Sequence, residues 1–450
     1  MMTTKTKYML AVLSGSITLL SGNRVLCQNP GAHWQQYASV QQAGFSPEKL
    51  KAAKEFYDSL QSSAFMIVQS GRAVAAWGDV NRRFKVHSIR KSLLNSLYGI
   101  SVPNGTIDTN LTIGQLGITD RDSLSALEQS AKIVHLLKVR SGVYHRAAAE
   151  SDWVREYRPK RNSHPPDSFW FYNNWDFNVL GTIFERLAHT SIYKAFYDDI
   201  AVPLQMEDYR IMDGAYFYER EYSDHPAYHL KMSVRDLARY GQLFLQKGSW
   251  NDKRILSAKW VETSTYPHSK HGGGTTIGRW YGYLWGVSEY YSNYGMYFAS
   301  GIGGQFLAVF PAEGLILVNL CNTYLHKKVL DRDMTRLFDL ILAAKTGKPS
   351  GNPELVTLES TSRVPADVYS SHIDYSRYLG NWTIGDRRVS IIELNGDWVV
   401  KDYEQNFRLI PLSPGRFFLE DIEKHLNIEF DGAGFPSRFY YDERKEQSNH

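Results

Sequence analysis

The chain has 450 residues, of which 43% are hydrophobic, 22% charged and 14% aromatic. That composition can fill a core and excludes a disordered polymer. Two cysteines, Cys27 and Cys321, exclude a disulfide scaffold and a multi-cysteine metal site. The formal charge is +4, from 51 bases and 47 acids. Three of those bases, Lys5, Lys7 and Arg24, lie in the first 27 residues, which hold no acid. The remainder is nearly neutral, without the basic patch that nucleic acid demands.

Two lysines precede an uncharged run from Tyr8 to Leu20. A basic start with a short apolar core is the pattern of a secretory signal, and the run is too short for a stable membrane anchor. Residues 1–27 are therefore expected to be a signal peptide, with Val25 and Cys27 at the cleavage site. Leu26 argues against lipid attachment at Cys27, because that chemistry favours a small preceding residue. Without Cys27, Cys321 is expected as a lone buried thiol at the end of the strand LILVNL.

Ser46-Pro47-Glu48 opens a helix, with serine at the cap and proline at the first turn. The segment AFMIVQSGRAVAAWG reads as a hairpin about Ser70-Gly71. Residues 88–98 read as a helix closing at Gly99. Short helices and turns fill 104–170. Residues 175–189 form an amphipathic helix with Phe177, Leu180, Phe184 and Leu187 on one stripe. Ser233 caps another helix over 233–247. Strands dominate 280–320, and a helix over about 329–344 follows. A Gly/Pro/Ser-rich linker is expected at 346–372. Beyond it, 373–445 alternates about seven short strands with turns, Asn395-Gly396 among them, as in a small barrel or sandwich. The organisation expected is a signal (1–27), a main domain (28–345), the linker and a small all-β domain.

The chemistry is found first by elimination. No G-x-S-x-G elbow, no H-E-x-x-H and no C-x-x-C is present. The glycine run after His271 lacks the elbow that would make it an oxyanion loop. S-x-x-K remains, in more than one copy. Ser46-x-x-Lys49 is explained as a helix cap. Ser88-x-x-Lys91 begins a helix, where lysine falls one turn from serine on the same face. A buried lysine loses its proton more readily and can activate a serine hydroxyl. Tyr172-x-Asn174 stands just before the second long helix. A tyrosine beside that lysine can shuttle a proton, and Asn174 can bond Lys91 and a substrate oxygen. A second Y-x-N, Tyr291-x-Asn293, lies in a polar turn. Ser300-Gly301-Ile302 joins two strands, where glycine admits close approach of a substrate to backbone.

Ser88-x-x-Lys91, Tyr172-x-Asn174 and a strand with Ser300-Gly301 together resemble the serine beta-lactamase and penicillin-binding-protein superfamily. The likeness extends over about residues 40–345. The stretches RKSLLNSLYGI, FYNNWDFNVLGTIFERL and SGIGGQ are similar to the esterase and 6-aminohexanoate-dimer hydrolase branch near the class C enzymes. The resemblance implies an α+β fold, an antiparallel sheet flanked by helices with a helical subdomain. It implies Ser88 as the acylated nucleophile and Lys91 with Tyr172 as the proton-transfer pair, either being the base. Asn174, Ser300 and Gly301 would hold substrate, and the amides of Ser88 and Ile302 would form an oxyanion hole. A literal Lys345-Thr346-Gly347 matches a family motif by letter. It ends a helix and enters the linker, so Gly347 is read as a helix cap and the motif is placed at Ala299-Ser300-Gly301. Alanine at 299 replaces the family's lysine or histidine, which favours esters or amides without an adjoining acid group. The all-β tail resembles the lipocalin-like modules of some such hydrolases, opening at Tyr378-Leu-Gly-Asn-Trp382.

The expectation is an exported serine hydrolase, periplasmic or secreted, acting on a small ester or amide. It would use no metal or other cofactor, bind no nucleic acid and keep no membrane span after signal cleavage; no pattern speaks to its oligomeric state. D,D-carboxypeptidase or beta-lactamase activity is an alternative, and a non-catalytic lactamase-like binding module is another. Pocket walls are expected from Tyr281-Gly-Tyr-Leu-Trp285 and the loop 145–170.

Overall fold

A computed structural model describes residues 29–270, 277–359, 375–384, 387–394, 397–402, 405–434 and 436–442. The expected signal peptide, the glycine run after His271, linker residues 360–372 and the Asn395-Gly396 turn lie outside them.

Alternation along three apolar runs generates the main sheet. In Ala64–Gln69, Phe65 and Ile67 face one side while Ala64, Met66 and Val68 face the other. Leu315 and Leu317 oppose Ile316 and Val318 in the same way, as Phe306 and Ala308 oppose Leu307 and Val309. Each run is buried on both faces, so each lies mid-sheet. Ser70 and Gly71 take positive φ values of 52° and 81°, the geometry a two-residue hairpin turn requires. Among the described residues the sheet has ten strands. At its centre the Tyr297–Gly301, Gln305–Phe310, Leu315–Leu320, Ala64–Gln69 and Arg72–Gly78 strands pair antiparallel in that order.

Helices cover both faces. Pro47–Asp58 and Asp331–Ala344 pack on one, with Ala53, Leu337, Phe338 and Ile341 in the core. On the other, Val234–Leu245 lies against the sheet with Leu237 and Ala238, and Ile89–Ser101 and Asn174–Ala188 build a helical layer beyond it. Ser46 and Ser233 cap their helices as the sequence suggests. This mixed architecture is the α+β fold expected from the sequence.

Gly347 does not cap the last long helix; Lys345 ends it in extended backbone (φ −73°, ψ 120°). Within the stretch read as a linker, Leu355–Thr357 forms an edge strand on Gln35–Tyr37. Cys321 is a buried free thiol at the end of Leu315–Leu320.

Among the described residues the C-terminal segment forms a separate eight-stranded sheet rather than about seven strands. The extra strand arises because FRLIPL breaks at Leu409 into Gln405–Arg408 and Ile410–Ser413. These halves occupy opposite edges of the sheet, with one residue between them. That connection curls the sheet into a nearly closed barrel around Val389, Ile391, Phe417 and Leu426, and closure removes most exposed edge.

Candidate active site

Ser88 precedes helix Ile89–Ser101 but does not cap it. Its hydroxyl is occupied otherwise: Lys91 Nζ lies 2.8 Å from Ser88 Oγ. Lys91 Nζ also lies 2.6 Å from the hydroxyl of Tyr172. One lysine thus joins two oxygens that stand far apart in the sequence, one in S-x-x-K and one in Y-x-N. The lysine is 2% exposed and its ammonium lies over the rings of Tyr172 and Phe177, at 4.6 and 4.4 Å.

Burial, with the charge of Arg90 adding to it, pushes the Lys91 amine well below the ordinary lysine value. Burial pushes the Tyr172 phenol upward, and only partly do Ser88 and Arg90 oppose it. The pair is thereby biased toward neutral amine and neutral phenol.

Strand Tyr297–Gly301 brings the third element beside Ser88. A Cβ on Gly301 would lie 2.5 Å from the Val86 carbonyl oxygen and 3.1 Å from the Ser88 amide nitrogen. Only glycine permits this approach. Ala299 is buried in the core cluster, and Ser300 and Gly301 line the cleft. Ile302 follows directly, its side chain 66% exposed at the rim.

Asn174 opens helix Asn174–Ala188 and also lines the cleft. Its amide nitrogen donates to the Ala149 carbonyl, while Lys91 Nζ bonds Ser88 and Tyr172 and not Asn174 as the sequence suggests. Asn173, not Asn174, is the helix cap. The cause is the loop at 148–154, which folds over the helix start. Asn178 donates to the Ala148 carbonyl at 3.1 Å, and Glu219 accepts from the Ala149 amide at 2.8 Å.

The cleft has a volume of about 720 Å³. Ser88, Lys91, Tyr172, Asn174, Ser300, Gly301 and Ile302 all border it. Its apolar walls are Trp153, Trp170, Phe217, Tyr281, Leu284 and Phe298. Of the YGYLW segment, Tyr281 and Leu284 reach the cleft, whereas Trp285 turns inward between Tyr240 and Phe244. The competing motifs fall elsewhere. Tyr291 donates to Asp339 at 2.8 Å in the opposite core, and Thr346 and Gly347 bond Gly44.

Sequence reasoning passed over Lys85, His87, Arg90 and His229, which also line the cleft. Arg90 is the variable residue immediately before Lys91 within the motif itself. His229 sits on strand Ala227–Met232 and carries no motif signal. Among the described residues no group of three or more His, Cys, Asp or Glu side chains is placed to hold a metal ion. Nor is any helix long and apolar enough to cross a membrane.

Comparison with known proteins agrees with this architecture. The Beta-lactamase family profile matches residues 51–339. An inferred 6-aminohexanoate-dimer hydrolase from Bacillus anthracis superposes with a TM-score of 0.51 at 18% identity, covering 70% of this chain and 88% of that one. An octameric penicillin-binding protein homologue from Pyrococcus abyssi gives 0.50 at 14% identity, covering 87% and 98%. A penicillin-binding protein homologue from Caulobacter crescentus gives 0.50 at 15% identity, covering 67% and 99%. No curated protein matches the chain.

Proposed function

The chain belongs to the beta-lactamase family, and from that premise we propose that it hydrolyses small esters or amides through an acyl-enzyme on Ser88. The observation that carries this reading is the position of Lys91 Nζ, 2.8 Å from Ser88 Oγ and 2.6 Å from the Tyr172 hydroxyl, beside an open cleft.

The steps follow from the chemistry of each group. Neutral Lys91 takes the proton of Ser88 as Oγ attacks the carbonyl carbon. The amides of Ser88 and Ile302 receive the oxygen as it gains charge; preorganised donors of this kind typically contribute a factor of about 10²–10³. Tyr172 keeps its proton, because burial raises it, and delivers it to the departing alcohol or amine. Lys91 then replenishes Tyr172. Water repeats the sequence on the acyl-enzyme and releases the acid. Lys91 is therefore the base and Tyr172 the relay.

The substrate class follows from the walls. Alanine at 299 leaves that strand position without a cation for a neighbouring acid group, which supports esters or amides over beta-lactams and D-alanyl peptides. The aromatic walls suit an apolar acyl or aryl group. We also propose export, on the strength of the basic and apolar start.

A fluorophosphonate probe should label Ser88. Ser88→Ala should abolish labelling and cut turnover of nitrophenyl esters and anilides by about 10⁴-fold. Faster turnover of nitrocefin or of a D-alanyl-D-alanine peptide would replace the substrate class. Labelling elsewhere, or an unchanged rate in Ser88→Ala, overturns the mechanism. Stoichiometric labelling of Ser88 without turnover of any member of the panel would point to a binding module instead. Retention in the cytoplasmic fraction would overturn export.

A further inference from the structure

Arg90 is 3% exposed and borders the catalytic cleft. Its guanidinium lies 4.4 Å from the centre of the Tyr228 ring and donates to Asn178 Oδ1 at 3.3 Å. Its Nη1 is buried without a hydrogen-bond partner. Among the described residues no carboxylate forms an ion pair with it. A buried cation without a counter-ion is costly, so the fold holds this charge at a loss. Tyr228 OH and His229 Nδ1, on the strand facing it, are also buried without partners. The surroundings are thus polar but carry no compensating negative charge.

The expense is explained by what lies next to it. Arg90 adjoins Lys91 on the same helix, and both border the same cleft as Tyr172. An uncompensated positive charge there disfavours protonated Lys91, the inactive form of the base. It also favours negative charge on Tyr172 during proton relay.

We propose that Arg90 is a positioning residue for the proton transfer, whose unpaired charge keeps Lys91 in the neutral form that activates Ser88. This rests on the acyl-transfer reading above. Burial remains the largest influence on Lys91, with Arg90 the charge that adds to it.

Other charges face Lys91 and constrain the test. On its own segment are Lys85 and His87. Strand Ala227–Met232 contributes Tyr228 and His229, and strand Gly278–Tyr281 contributes Tyr281. The carboxylates on the cleft are Glu150, paired with Arg158, and Asp331. Burial depresses both histidines, His87 to about 3 and His229 well below its usual value. They are therefore neutral through the working range and do not produce its acid limb.

The test measures the rate of Ser88 phosphonylation by a fluorophosphonate as a function of pH, which needs no knowledge of the natural substrate. Arg90→Gln and Arg90→Met remove the charge; the second keeps an unbranched stem to pack on Tyr228. Both should move the acid limb upward by about one pH unit, which lowers labelling about tenfold at any pH on that limb. Labelling should return to within about twofold of wild type at alkaline pH, where Lys91 is neutral with or without the arginine. Arg90→Lys should keep the wild-type limb. An equal loss at every pH, or an unmoved limb in the neutral variants, overturns the proposal. So does failure of both neutral variants to fold while Arg90→Lys is native, since the charge would then serve the fold. Absence of Ser88 labelling in the wild type would instead be a failure of the acyl-transfer reading.

Discussion

His87 Nε2 lies 2.8 Å from Thr323 Oγ1. The contact ties the residue before Ser88 to the turn after strand Leu315–Leu320. His87 holds a left-handed backbone, φ 47°, which costs a non-glycine residue about 1–2 kcal/mol. The hydrogen bond offsets part of that, being worth about 1 kcal/mol. The same turn is anchored from the C-terminal barrel, where the Asp421 carbonyl accepts from Asn322 Nδ2 at 3.0 Å and Tyr324 bonds Gln405. Thr323→Val keeps the shape and removes the bond. The Ser88 amide should then wander from its oxyanion position. Kinetics should show kcat lowered about tenfold with KM within about twofold, since small misplacements act on the reacting geometry. An unchanged kcat would show that His87 needs no tether.

Lys91→Met separates catalysis from stability. Folded Lys91 is neutral at a pH where the unfolded chain carries it protonated, because burial lowers its value. Unfolding therefore takes up a proton, and the wild type gains stability as pH rises toward the ordinary lysine value of 10.5. Methionine has no such dependence. The variant should lose Ser88 labelling by about 10³-fold or more, melt higher than wild type at pH 7, and lose that advantage as the pH is raised. A gap in melting temperature that is independent of pH would mean that Lys91 folds charged.

Gly301→Ala tests the close approach of the strand to Ser88. The added carbon would meet the Val86 oxygen at 2.5 Å and the Ser88 nitrogen at 3.1 Å. Backbone atoms cannot yield as a flexible side chain does, so the strand end must withdraw. Losing one oxyanion donor costs about 10²–10³ in kcat. That loss is expected here, with Tyr172 and Lys91 still paired. Near-normal turnover of nitrophenyl esters would remove Ile302 from the oxyanion hole.

The long elements were legible because their signals are local. Ser46 and Ser233 announce helices by capping, and Phe65-Met66-Ile67-Val68 announces a central strand by being apolar on both faces. Ser88, Lys91 and Tyr172 were legible because their order matches a family pattern, although their meeting is a tertiary fact. What stayed hidden depends on long-range packing. Nothing near Asn174 in sequence reveals that the Ala149 carbonyl will take its amide. Leu409 breaks one apolar run into two strands because barrel closure needs a corner there. Arg90 stood inside the motif itself, but its missing counter-ion can be seen only once every neighbouring element is in place.

Lys231 tests how the barrel is held to the main domain. Its ammonium is buried, 2.8 Å from Asp421 Oδ2 and 2.7 Å from the Asn406 carbonyl oxygen. Nearby, Arg82 pairs with Glu423 at 2.8 Å and Arg83 with Asp213 at 3.0 Å. Removing one member of a buried pair strands the other charge, at a cost of about 3–5 kcal/mol. Replacing both by apolar groups avoids that cost. Asp421→Ala should therefore lower the first unfolding transition, while Lys231→Met combined with Asp421→Leu should restore most of it. The Asp421 carbonyl that anchors Asn322 belongs to the backbone and survives both changes. Ser88 labelling should accordingly stay within about threefold of wild type in the double variant, where the docking is kept. Equal melting of Asp421→Ala and wild type would mean that the ion pair contributes nothing to docking. The apolar hold of Tyr324 on Phe407, rings 5.6 Å apart, would then be the attachment that keeps the barrel against the Thr323 turn.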